Sequence, residues 1–331
     1  MARYQIYGIG AALLDTEVAV SDTFLQDNGI EKGVMTLVDE PRQSVLLNAL
    51  SAEKHHLIKK SGGSACNTVI AAANFGARTF FSGKVAADDD GEYFVGDLAE
   101  SGVAFHAVSP EPGITGKCLV MVTDDAERTM NTYLGASEQL TGREIDEAAL
   151  LESEWLYIEG YLLTDDARAT LIKDVVTKAK DSGVKVALSL SDPFVAQIFA
   201  DNLRAVIGSG VDLVFCNKDE ALAFTKTETI GEACVMLRQS ATTFAVTDGA
   251  QGAIIFDGQA IVSVPGVPAD AVDTNGAGDM FAGAFLYAVT AGRDFKWAAE
   301  LANESAARVV SRFGPRLAAI EFDAIKHKFE L

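Results

Sequence analysis

No part of this chain is apolar for long enough to cross a bilayer, since the longest runs, such as residues 186–190, fall far short of the roughly 20 residues a spanning helix needs. Cysteine is scarce: the four, at 66, 118, 216 and 234, show no C-x-x-C spacing and no neighbouring histidine, which excludes a disulfide framework or a zinc site. Histidine is equally rare, and its four copies form no H-E-x-x-H pair, so a zinc hydrolase is disfavoured. Positive charge is in deficit. Against 47 acidic side chains there are 27 Lys and Arg, a net charge of −20, and no basic stripe of the kind nucleic acid demands. Such a surplus also repels anionic ligands, so any phosphate site has to concentrate positive potential from backbone amides or a metal. The opening MARYQIY has no charged region followed by an apolar one, so no secretory signal is read and a cytoplasmic protein is expected. Neither nucleic acid nor membrane is an expected partner.

Several nucleotide-binding and hydrolytic motifs are missing as well. Neither Gly8-x-Gly10 nor Gly276-x-Gly278 continues to the third glycine of a dinucleotide fingerprint. Residues 113–118 have the wrong glycine spacing for a P-loop and no Ser or Thr after Lys117. A serine-hydrolase elbow fails at Cys66, which stands where the last glycine belongs.

What is present is the composition of a folded α/β chain: 331 residues, 49% hydrophobic and 22% charged. No repeat or linker divides it, which predicts one domain over 1–331. Strand-like runs at 3–10, 79–85, 155–161, 184–190, 211–216 and 243–248 alternate with helical stretches at 67–77, 91–101, 166–181 and within 218–239. That alternation predicts a parallel sheet covered on both faces. The rhythm breaks at 16–21, 33–39, 115–124 and 128–134, which read as short strands joined by turns. Inserted at about 16–60 and 104–135, they are expected to form a small sheet covering an active site as a lid. Two helices, near 277–291 and 294–312, are expected toward the end of the chain.

The most informative stretch is Asp273-Thr-Asn-Gly-Ala-Gly-Asp279, where two glycines enter a helix start. Each glycine costs about 1 kcal/mol against alanine in a helix interior. Their use is to leave the backbone N–H groups of Gly276, Ala277 and Gly278 free to hold an anion at the positive end of the helix. Asp279 then sits where a carboxylate can take the proton of an attacking hydroxyl while the amides stabilise a transferring phosphoryl group. An ordinary first turn, with the acid favoured by the helix dipole, explains Asp279 but not the two glycines.

DTNGAGDMFAGAF resembles the C-terminal signature of the ribokinase/PfkB family of carbohydrate and nucleoside kinases. The N-terminal signature also appears, as SGGSACNTVIAAANFGA (61–77) followed by GKVAADDDG (83–91), with Ala86 where the family often has glycine. The resemblance implies a ribokinase-like three-layer α/β/α sandwich with a mostly parallel central sheet of about nine strands and a small β-sheet lid. It implies a kinase using ATP and Mg2+, with Asp279 as base and Gly276, Ala277 and Gly278 as the anion hole. Asn-Lys-Asp-Glu at 217–220 matches the family's N-x-x-E motif, placing Asn217 and Glu220 near magnesium and phosphates through water. By itself that stretch reads as a helix cap with acids in the first turn. Residues 245–253 resemble the segment supporting the nucleotide, with Thr247 and Gly249 at its phosphate and adenosine side, although Asp248-Gly249 is also a hairpin turn. Asn303 stands where the family often lines the adenine pocket, or it faces solvent on an amphipathic helix. The resemblance also leaves room for a monovalent cation such as K+, with Asp273 placed to assist.

On the substrate side the resemblance implies Asp15 as acceptor for sugar hydroxyls, Gly62 and Gly63 as a hinge allowing close backbone approach, and Asn67 as donor and acceptor. Read without it, Asp15 is a solvated loop acid and Asn67 a cap. GIGAALLD (8–15), GGSACNT, ERTMNTYLGAS (127–137) and LSLSDPF (188–194) look more like the adenosine kinase branch than like ribokinase or fructokinase, with Arg128 reaching the active site. A nucleoside is therefore the expected acceptor, a simple sugar such as ribose, fructose or 2-keto-3-deoxygluconate the alternative. A binding protein that has lost catalysis is the competitor of another class; the intact Asp279 speaks against it. Monomer and homodimer both stay open.

Overall fold

The computed structural model describes residues 2–52, 57–106, 108 and 110–331. Parts of the expected lid spans, at 53–56, 107 and 109, lie outside the described residues. The strands run in order as β1 (Tyr4–Ile9), β2 (Leu13–Ala19), β3 (Met35–Leu37), β4 (Ile58–Gly62), β5 (Thr79–Ser82), β6 (Val103–Phe105) and β7 (Gly116–Val122). They continue as β8 (Arg128–Tyr133), β9 (Ser153–Glu159), β10 (Lys185–Ser189), β11 (Leu213–Asn217), β12 (Thr243–Thr247), β13 (Gly252–Phe256) and β14 (Ile261–Pro265).

Nine of these strands make one sheet in the order β14-β13-β12-β11-β10-β9-β1-β5-β6, with parallel pairing from β12 through β6 and antiparallel pairing only among β12, β13 and β14. The central strands are short apolar runs buried on both sides, as a parallel sheet under two helical layers requires. One layer, including helices Ser64–Phe75, Ala277–Thr290 and Phe295–Val310, packs through Phe75, Phe281 and Phe285. The other, including Asp166–Asp181, Ala200–Ile207 and Ile230–Ser240, packs through Ile172, Leu203 and Leu237. This is the expected three-layer α/β/α sandwich. Parallel pairing also brings the carboxyl ends of β1, β9, β10, β11 and β12 to one edge, which is where α/β sheets place their sites.

The remaining strands form a second sheet, β3-β8-β7-β2-β4, of mixed direction. In it Asp15 pairs with Cys118 of β7, and Leu13 with Gly62 of β4. Its outer face packs Val18, Leu119 and Met121 against the helices Asp22–Asp27 and Glu40–Ala52.

Several elements escaped the sequence reading, helix Ala200–Ile207 among them. Helix Glu40–Ala52 buries Gln43, Leu46 and Leu50, a stripe too narrow to announce a helix. The β13–β14 hairpin turns at Asp257, whose carboxylate accepts the backbone N–H of Gln259 and Ala260 at 2.8 Å each. A third helix, Ala319–Phe329, follows the two expected near the end and packs Phe322 and Ile325 onto the core.

Candidate active site

A cavity of about 760 Å3 lies between the carboxyl edge of the large sheet and the inner face of the small one. Residues from both halves of the chain line it, among them Asp15, Asn67, Arg128, Glu220, Thr247 and Asp279.

Asp279 is the third residue of helix Ala277–Thr290, so its carboxylate lies at the positive end of the helix. Its Oδ1 accepts the Ser64 hydroxyl at 2.6 Å and its Oδ2 the Asn67 amide at 3.3 Å. Burial raises its pKa from the ordinary aspartate value to about 6, against the opposing pull of Ser64, Arg128 and Asn67. A carboxylate so placed is ionised at neutral pH, yet basic enough to take a proton from a hydroxyl in the transition state.

The helix opens at Gly276, which has φ +72° and whose Cβ, if present, would lie 2.5 Å from Pro315. Any side chain there meets both strain and collision. Gly278 is different: it is exposed, and an added Cβ meets nothing within 4 Å. The protein itself gives no steric reason for glycine at 278, which fits a position where a ligand comes close to the backbone. Asp273 does not face the cavity. It is fully buried, accepts the N–H groups of Asn275 at 2.8 Å and Gly314 at 2.9 Å, and so shapes the loop. Among the described residues no group of three or more His, Cys, Asp or Glu is arranged to hold a metal ion.

Asp15 is buried on β2, and its pKa stands well above the usual carboxylate range because burial and the neighbouring Glu17 and Asp279 outweigh the positive Arg316. Gly62 lies against it: a Cβ there would sit 2.0 Å from the carboxyl carbon. Gly63 has φ +95° and caps helix Ser64–Phe75, on whose first turns stand Ser64 and Asn67. Asn67 is thus no cap. Its amide reaches across to Asp279.

Arg128 enters from β8 and donates to Asn275 Oδ1 at 3.4 Å. Asn217 and Glu220 cap each other: Glu220 N–H donates to Asn217 Oδ1 at 2.8 Å, and Asn217 N–H and Nδ2 donate to the Glu220 carboxylate at 3.0 and 2.8 Å. The capping reading of this stretch therefore holds, while both residues also line the cavity. Burial pushes Glu220 up to about 7. Thr247 and Gly249 line the same end, where Asp248-Gly249 begins the connection from β12 to antiparallel β13. Asn303 is placed otherwise than expected, neither solvated nor on the cavity wall. It is buried, and its amide donates to the carbonyls of Val264 at 3.2 Å and Pro265 at 3.0 Å, tying its helix to the edge strand β14.

Sequence reasoning missed several polar residues here. Glu159, at the end of β9, accepts the N–H of Ala11 at 2.7 Å and of Ala65 at 2.9 Å, and burial raises it to about 7. Its signal was a lone acid ending an apolar strand. Glu17 accepts the Asn275 amide at 2.6 Å and is likewise raised to about 7 by burial. Ser64, inside a stretch otherwise noted for its glycines, gave no sign of bonding to Asp279.

The family described as pfkB family carbohydrate kinase matches residues 35–321. The adenosine kinase of Saccharomyces cerevisiae is 29% identical over 329 residues, covering 93% of this chain and 95% of that one. A solved adenosine kinase from Sinorhizobium meliloti superposes with a TM-score of 0.91 at 34% identity, covering 99% of this chain and 100% of that one. A probable sugar kinase from Rhizobium etli does so with a TM-score of 0.93 at 32% identity and the same coverage.

Proposed function

Because the chain belongs to the pfkB family of carbohydrate kinases, and so is a phosphotransferase acting on an alcohol oxygen, we propose that it moves the γ-phosphate of ATP to a hydroxyl of a purine nucleoside such as adenosine. The observation that carries the nucleoside is the face of the small sheet turned to the cavity. Leu13, Met35, Val120, Met130 and Leu134 line it opposite the polar group of Asp15, Asn67 and Asp279. An apolar ceiling beside a diol-binding carboxylate suits a planar base joined to a sugar; a free monosaccharide would leave it uncovered. The near full-length likeness to adenosine kinases supports the same reading.

In this reading the acceptor's sugar hydroxyls bond to Asp15 and Asn67, and the reacting hydroxyl gives its proton to Asp279. The amides of Gly276, Ala277 and Gly278 take up charge on the transferring phosphoryl group, and Arg128 adds positive potential from the small sheet. The small sheet closes over the acceptor and excludes water, which limits hydrolysis of ATP. Acids far outnumber the two basic side chains, Arg128 and Lys218, among the described residues lining the cavity. A polyphosphate binding there needs a divalent cation, which fits the buried Glu220 and Asn217 as its holders through water. Bound Mg2+ supplies charge neutralisation and orientation of the phosphates. A monovalent cation near the 273–279 loop belongs to the same proposal, with Asp273 as its nearby acid.

The test is acceptor-dependent ADP release with adenosine, inosine, guanosine, ribose, fructose and 2-keto-3-deoxygluconate. The reading expects the fastest turnover on adenosine. Preference for a free sugar overturns the nucleoside assignment, and ATP binding with silence on every acceptor favours a binding protein.

A further inference from the structure

Arg316 belongs to no motif, and it does not line the cavity. It lies in the short segment between helices Phe295–Val310 and Ala319–Phe329, whose preceding residue, Pro315, packs against Gly276. From there its guanidinium is spent on three separate elements. Nη1 donates to Asp97 Oδ2 at 2.7 Å, on helix Asp89–Glu100. Nη2 donates to the Ser61 hydroxyl at 2.7 Å and to the Ser61 carbonyl, on β4 beside the Gly62-Gly63 turn. Nε faces Asn67 Oδ1 at 3.5 Å. The Arg316 side chain is only 16% exposed and that of Asp97 10%, so the pair is shielded from solvent.

We propose that Arg316 is the positioning residue of the acceptor site, holding the Asn67 amide with Nδ2 toward Asp279 and setting the positive charge that faces Asp15. The Asn67 amide lies between a guanidinium and a carboxylate. With Oδ1 toward Arg316 and Nδ2 toward Asp279 both contacts are attractive; with the amide reversed, donor meets donor and acceptor meets acceptor. Arg316 thereby decides which group Asn67 offers to Asp279. Asp97, which also accepts the Ser61 N–H at 3.0 Å, holds the guanidinium in place. Only a planar fork can reach all three partners, so lysine keeps the charge but not the geometry.

The groups around the two acids show why the charge counts. Facing Asp279 are Ser64 and Asn67 from one helix, Arg128 from β8, Asp15 from β2, and Tyr157, Glu159 and Tyr161 from β9 and the turn after it. Facing Asp15 are Glu17, Cys66, Cys118, Asn67, Asp279 and Arg316. Arg128 and Arg316 are the cations of this set. Without Arg316, Asp15 holds its proton to higher pH and Asn67 is free to turn from Asp279, so the acid limb of kcat/KM for the acceptor moves up in pH.

The inference rests on the kinase reading but not on which acceptor is used. The wild-type enzyme is assayed first on adenosine, ribose and fructose, and Arg316→Gln, Arg316→Lys and Asp97→Asn are then assayed on the acceptor it takes, across the pH range. Arg316→Gln is expected to lose about tenfold to a hundredfold in kcat/KM for the acceptor, with the KM for ATP within about twofold of wild type. Its acid limb should shift to higher pH, Arg316→Lys should recover part of that shift, and Asp97→Asn should move the same way by less. If Arg316→Gln does not fold, the lysine and Asp97 variants carry the test alone. An unmoved acid limb and unchanged acceptor KM overturn the proposal. So does a parallel rise in both KM values with the limb in place, which is what a merely structural staple gives. Wild-type activity with unaltered variants thus defeats the inference alone, whereas wild-type silence on every acceptor defeats the kinase reading and the inference together.

Discussion

The two ends of the cavity are built in opposite ways. Where the acceptor is proposed to sit, the contacts join residues far apart in sequence: Ser64 to Asp279 spans 215 positions, Glu159 to Ala11 148, and Arg316 to Ser61 255. Where the nucleotide is proposed to sit, Asn217 and Glu220 hold each other across three positions, and Thr247 and Gly249 flank one turn. The first end exists only once both sheets and both helical layers have come together. The second is assembled by local capping and turn chemistry that a short peptide already favours. A kinase needs its base and acceptor groups held closely against each other, whereas the phosphate end uses backbone and water-mediated contacts that tolerate local construction.

The comparison can be broken at either end. Gly62→Ala should have the largest effect among the substitutions away from Asp279. The new Cβ would displace the Asp15 carboxylate, so the acceptor KM should rise about a hundredfold while the KM for ATP stays within about twofold. Equal changes in both KM values would mean that the two ends are not separable. Asn217→Ala should do the reverse and do less. It removes the reciprocal cap, costing about 1 kcal/mol of stability, and should raise the KM for ATP several-fold with the acceptor KM unmoved. On catalysis Asn303→Ala should have the smallest effect. Two carbonyls lose their donor, so denaturant unfolding should register about 1–2 kcal/mol, with the KM for ATP unchanged. A large rise in that KM would return Asn303 to the adenine pocket.

The same contrast explains what could be read from the sequence. The parallel core was legible because strands such as Ser153–Glu159 and Thr243–Thr247 are apolar runs between strong helical patterns, and helix Asp166–Asp181 appeared with its observed bounds. Helix Glu40–Ala52 was not, since its few buried residues leave it with little periodicity. At the site, the 273–279 stretch stood out because two glycines enter a helix start, although the fold alone explains Gly276 through its positive φ and Pro315, and 217–220 was legible as a cap. The identity of Asn67's partners was not, because they come from residues 279 and 316, more than two hundred positions away. Asn303 shows the limit from the other side: position in a helix suggested a pocket, while the fold turned the amide onto β14. Glu17, Glu159 and Glu220 were invisible as near-neutral titrating groups, because their shifts come from burial that only the assembled sheets create.

Asp279 is the proposed base, and burial has raised its pKa. The measurement is the pH dependence of kcat for the wild-type enzyme and for Asp279→Asn, with ATP and adenosine both saturating and their binding checked by calorimetry. In the proposed reaction the reactive form is the carboxylate, whose pKa burial lifts to about 6, so wild-type turnover should fall as pH drops through that value. The variant should bind both substrates, lose about a hundredfold to ten-thousandfold in kcat, and show no such limb. Turnover near the wild-type rate in Asp279→Asn, with the acid limb unchanged, would contradict the account.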